Sequence, residues 1–79
     1  MSARWLHRIG KRIRITMLGR RYCAEQAAWW DGRAESWRRD AEWAVARFNE
    51  DGDLDWLAMA NRAVTYAREC AAHAEDYRP

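Results

Sequence analysis

The chain has 79 residues, 33% of them charged, a formal net charge of +2 and two cysteines. That length holds one domain with a modest core, so a disulfide, a metal or another subunit is expected to reinforce it. No stretch nears the roughly 20 apolar residues of a membrane span. His7 and Arg8 break the apolar residues of the basic N-terminus, so no signal peptide is read and a cytoplasmic location is expected.

The net charge hides an asymmetry. Residues 1–21 carry seven basic side chains (Arg4, Arg8, Lys11, Arg12, Arg14, Arg20 and Arg21) and no acid. The remainder carries the other seven and all twelve acids, a balance of −5. Such an arm is a candidate contact for nucleic acid or another anion, by tracking phosphates. The alternative is internal: the arm lies on its own acidic body or on a partner subunit's. The signatures of base-reading modules are missing: no zinc finger, no aromatic ribonucleoprotein strands, no clear recognition helix. A membrane-surface role, with Trp5, Leu6 and Ile9 dipping among headgroups, is the weaker option, and a membrane partner is not expected.

In chain order, residues 1–19 form this basic arm, as a short helix, a strand or both. Ser2 is placed to cap a short helix carrying Trp5, Leu6 and Ile9. From Lys11 to Met17 basic or polar residues alternate with apolar ones, a strand pattern. A lone strand cannot stand by itself, so it must pair with a partner or be helical after all. Thr16 is a candidate cap for the long helix that follows, with Gly19 in its first turn.

The rest, residues 20–79, predicts an all-α antiparallel hairpin with helices over about 20–50 and 54–77. Cys23, Ala27, Trp30, Ala34, Trp37, Ala41, Ala44 and Phe48 follow unbroken 4-3 spacing, the seam of a helix packed on another helix. Gly32 interrupts it at a cost of about 1 kcal/mol. Trp56, Ala60, Ala63, Ala67, Cys70, Ala74 and Tyr77 form the matching seam, widened on one side by Leu57, Val64 and Ala71. Between them, Gly52 suits a left-handed helix stop, Asp53 a helix cap, and Asp55 the first turn beyond it. Folding back at Asp51-Gly52 sets Ala41 near Ala60 and Ala63, Trp37 near Ala63 and Ala67, and Trp30 near Cys70 and Ala74. Large residues over small ones fill such a seam without voids.

Cys23 and Cys70 lie at distances from the turn that differ by about nine residues, or roughly 14 Å along a helix. A disulfide needs Cα atoms within about 7 Å, so free cysteines are expected. The pair has no metal-ligand spacing, and the acids around the turn lack the calcium-loop pattern, so no metal or cofactor is expected. No phosphate loop, nucleophile elbow or metalloprotease motif occurs. His7 and His73 read as surface or interface residues. The chain is therefore not expected to be an enzyme.

Trp30, Trp37, Phe48 and Trp56 belong to the seam. Trp29 and Trp43 flank it, as do Met59 and Tyr66 on the second helix, and a two-helix hairpin cannot cover them. A surplus of Trp, Met and Tyr reads as an interface, for self-association into a dimeric four-helix bundle or for another protein. On its 4-3 seam and short turn, the hairpin resembles the dimeric antiparallel bundle of the small Rop-type plasmid proteins. No functional residue matches that family, so the resemblance implies architecture alone. Thirteen of the fourteen basic residues are Arg, which fits a GC-rich genome. Length and composition also look like accessory proteins of bacteriophages from such hosts, which often bind and inhibit a host regulator. The expectation is a small regulator or inhibitor that binds a partner protein through its Trp-rich face. The alternative is a nucleic-acid-binding regulator that uses the basic arm.

Overall fold

The structure, a computed structural model describing residues 3–78, forms three helices over those residues and no strand. They are α1 (Ala3–Leu18), α2 (Arg20–Asp51) and α3 (Leu54–Asp76). α2 stops where the sequence offers a glycine. Gly52 takes a left-handed conformation, φ 69° and ψ 11°, and its N–H donates to the Phe48 carbonyl at 2.7 Å. Asp53 is extended and accepts the Asp55 N–H at 3.0 Å, which caps α3. So short a link sends α3 back along α2, antiparallel.

Small side chains alone fill the space between these two helices. Cys23, Ala27, Ala34, Ala41 and Ala44 are buried on α2, and Ala60, Ala63, Ala67, Cys70 and Ala74 on α3. Trp30, Trp37, Phe48 and Trp56 share the heptad spacing but are only half-buried. Methyl groups let two helices approach closely and leave little room for an indole between them. The rings are displaced to the edge of the seam. Both cysteines are buried and free.

Residues 11–17 are helical, which decides the choice left open between helix and strand. A strand without a partner leaves its backbone groups unpaired, whereas a helix satisfies its own. Thr16 does not cap α2: it lies inside α1, and its hydroxyl donates to the Arg12 carbonyl at 2.8 Å. Gly19 lies outside the first turn and forms the junction, with φ 91° and ψ 141°, a region that disfavours any residue with a Cβ. Ser2, the expected cap of α1, lies outside the described residues. α1 meets the hairpin through Ile15, which is buried, while Trp5, Leu6, Ile9, Ile13 and Met17 stay exposed. The Cα positions span 50 × 30 × 11 Å, so the molecule is a slab one helix thick.

Two pairs of substitutions test this fold by urea unfolding followed in far-UV circular dichroism. Gly32→Ala meets no atom within 4 Å of the new Cβ and raises stability by about 1 kcal/mol. Gly52→Ala forces a left-handed alanine and lowers it by about 1 kcal/mol. Ala67→Leu overfills the closed seam and lowers stability by about 1–3 kcal/mol. Ala46→Leu, exposed on α2, is near neutral.

Candidate functional site

The rings excluded from the seam line one edge of it in successive rungs. Near the turn, Trp43 meets Trp56 edge-on, with centroids 5.2 Å apart. Trp37 lies against Tyr66 at 5.0 Å. Trp30 stacks on His73 at 4.4 Å, the planes 26° apart. At the open end Tyr22 meets Tyr77 edge-on at 6.4 Å. Trp29 joins from the side, edge-on to Trp30 at 4.8 Å. Helical periodicity explains the line. Trp30 and Trp37 are one heptad apart, and so are Tyr66 and His73, so equal steps on antiparallel helices keep the rungs in register. Each ring pair adds about 0.5–1.5 kcal/mol beyond its burial.

Arginines cover parts of this edge. The Arg33 guanidinium lies 5.2 Å from the Trp29 ring. Arg47 lies against both Trp43 and Trp56, at 6.0 and 5.6 Å. It also pairs with Glu50 at 3.2 Å and Asp51 at 3.9 Å. Asp51 in turn accepts the Trp56 indole N–H at 3.3 Å. The rings nearest the turn are thus held by a polar clamp. Trp29 and Trp43 nevertheless remain 54% and 56% exposed, and Met59 and Tyr66 on α3 are exposed as well.

The ring contacts add aromatic partners to the neighbours expected from folding back at the turn. Trp30 and Trp37 were expected over Cys70, Ala74, Ala63 and Ala67. Their ring partners are His73, between Cys70 and Ala74 in the chain, and Tyr66, between Ala63 and Ala67. The structure therefore joins Trp29, Trp43 and Tyr66 to the seam residues Trp30, Trp37 and Trp56 in one aromatic edge. Phe48 is half-buried near the turn, and Met59 is exposed on α3. Tyr22 and His73 were missed as members. Heptad spacing from Tyr22 to Trp29, and from Tyr66 to His73, carries the signal that would have found them.

Two concavities lie elsewhere. One, of about 640 Å³, runs along the α2–α3 groove beside Arg38, Glu42, Val45, Leu57 and Val64. The other, of about 730 Å³, lies where α1 meets the hairpin, lined by Arg12, Ile15, Arg20, Asp31 and Tyr77. Arg78 closes that end by bonding Asp31 and Glu75. Those two bonds, Asp31 first, raise its guanidinium pKa.

Arg4, Arg8, Lys11, Arg12 and Arg14 lie on α1, and Arg20 and Arg21 open α2. Arg21 pairs with Glu25 at 3.3 Å. Among the described residues the ion pairs start there, and none reaches the basic residues of α1. No group of three or more His, Cys, Asp or Glu among the described residues is disposed to hold a metal ion.

The ring ladder predicts a contrast at one rung. His73→Ala loses the stack on Trp30 and lowers the unfolding free energy by about 1 kcal/mol, while His73→Phe retains most of it; thermal melts of the two variants compare them. Comparisons with protein-family models, with curated proteins and with solved structures gave no match for this chain.

Proposed function

We propose that this protein is a small non-enzymatic interaction module, a regulator or inhibitor that occupies a partner protein's surface with the aromatic edge of its hairpin. The observation behind this reading is the exposure of Trp29 and Trp43, each of which lies edge-on to a neighbouring indole. Half-solvated indoles flanked by arginine are the residue types that dominate binding energy at protein interfaces. Their neighbours Arg33 and Arg47 already hold them, so little ordering entropy is lost on docking.

A hairpin one helix thick lacks the second layer that a folded domain normally has. We assign that layer to a second copy, stacked on the groove lined by Val45, Leu57 and Val64, to complete a four-helix bundle. The groove is apolar at its centre and flanked by Arg38 and Glu42, which a two-fold axis can pair across copies. Self-association then leaves the aromatic edge for the partner.

Light scattering behind a sizing column is expected to give a dimer whose mass is insensitive to salt, and a monomer for Leu57→Glu combined with Val64→Glu. Trp29→Ala combined with Trp43→Ala keeps the dimer mass and loses the protein that wild type captures from an extract of its source cell. A monomeric wild type contradicts the assigned second layer. Unchanged capture by the Trp variant contradicts the assigned binding edge.

A further inference from the structure

We infer that α1 is a membrane-surface helix, which lies on bilayers containing anionic phospholipid and carries the hairpin on its water side. The inference comes from how a helical, rather than extended, conformation sorts this segment. At 3.6 residues per turn, Trp5, Leu6, Ile9, Ile13 and Met17 fall within one arc of about 120°. Arg4, Arg8, Lys11, Arg12 and Arg14 fall on the remainder, with His7. Of the alternating isoleucines, Ile13 joins the apolar arc, whereas Ile15, like Leu18, falls on the basic side.

The placement of α1 turns these faces in a useful direction. Ile15, set among the basic residues, is the side chain buried against the hairpin. The apolar arc therefore points away from the hairpin, and it is exposed along its length, up to 81% at Met17. It is the part of the molecule where aliphatic side chains lie open to water on a helix without a single acid.

Charge complementarity selects the occupant. A second copy of this chain offers an acidic body, in which six of the twelve acids (Glu25, Asp31, Glu35, Glu50, Asp51 and Glu75) are already paired with arginines; such a surface would pair with the basic arc and leave the apolar arc in water. Nucleic acid would use the basic arc and leave the apolar arc in water. An anionic bilayer meets both: acyl chains take Leu6, Ile9, Ile13 and Met17, and lipid phosphates take arginines that snorkel from the flanks. A helix of 16 residues, about 24 Å long, lies in the headgroup plane. No helix among the described residues is long and apolar enough to cross, so the association is peripheral and reversible.

The test is sedimentation of the full chain with vesicles of phosphatidylcholine alone and of phosphatidylcholine with phosphatidylglycerol. Binding is expected to the anionic vesicles and to weaken steeply with salt. Ile9→Glu with Ile13→Glu, both exposed positions, is expected to lower partitioning by about a hundredfold with helicity unchanged. Arg8→Gln with Arg12→Gln is expected to lower it by about thirtyfold. A duplex oligonucleotide at equal phosphate concentration serves as the competitor. The inference is overturned if anionic vesicles fail to sediment the protein, if the Ile variant binds them as wild type does, or if the oligonucleotide displaces it completely.

Discussion

The close approach of α2 and α3 through alanine decides most of what this molecule is. Ten small side chains, eight alanines and two cysteines, fill the seam. A methyl group buries little area, so such a seam gives modest hydrophobic stabilisation per residue. Its advantage is proximity: small side chains let two helices approach closely and gain dispersion contacts where they pack. The cost is that nothing large fits inside. The seam-position indoles Trp30, Trp37 and Trp56 are only half-buried, and much of the apolar area that stabilises most proteins from within lies here at an edge.

Form and proposed function follow from that exclusion. A slab 11 Å thick across its Cα positions has two broad faces and little interior. Ring pairs on antiparallel heptads build a fixed aromatic edge on one side of the seam, and an apolar groove remains on the other. The polar clamp of Arg47, Asp51 and Glu50 holds Trp43 and Trp56 while leaving their outer faces wet. A core-poor chain of this size gains stability by being covered, and the surfaces that need cover are the surfaces available for recognition. α1 extends the same economy: Ile15 anchors it, and the rest of its apolar residues face outward.

Much of the hairpin was legible in the sequence, because its signals are local and repeated. The 4-3 spacing, the Asp51-Gly52-Asp53 turn and the exposure of Trp29 and Trp43 needed no tertiary information. The placement of the seam Trp residues did need it. Spacing sets the direction a side chain takes from its helix, whereas the width of the gap, fixed by facing alanines, decides whether an indole enters. Trp30 and Trp37 therefore point toward the seam and finish on His73 and Tyr66 at its margin. In α1 the window misled. Over Lys11–Met17 the period of two fits well, but over Ala3–Leu18 the recurrence of Trp5, Ile9, Ile13 and Met17 every four residues is a helical one. Ile13 and Ile15 occupy equivalent places in the alternation, yet one is exposed and the other buried, as opposite sides of a helix require.

The hairpin holds a single antiparallel register, in which alanine closes the seam and the rings pair along its edge. Proton–proton nuclear Overhauser contacts between aromatic side chains test it most directly. This register predicts contacts between Trp30 and His73 and between Trp37 and Tyr66, within one chain when labelled and unlabelled protein are mixed. A helical protein that lacks both contacts, or that shows Trp30 against Tyr66 instead, has its helices in another register and contradicts the account.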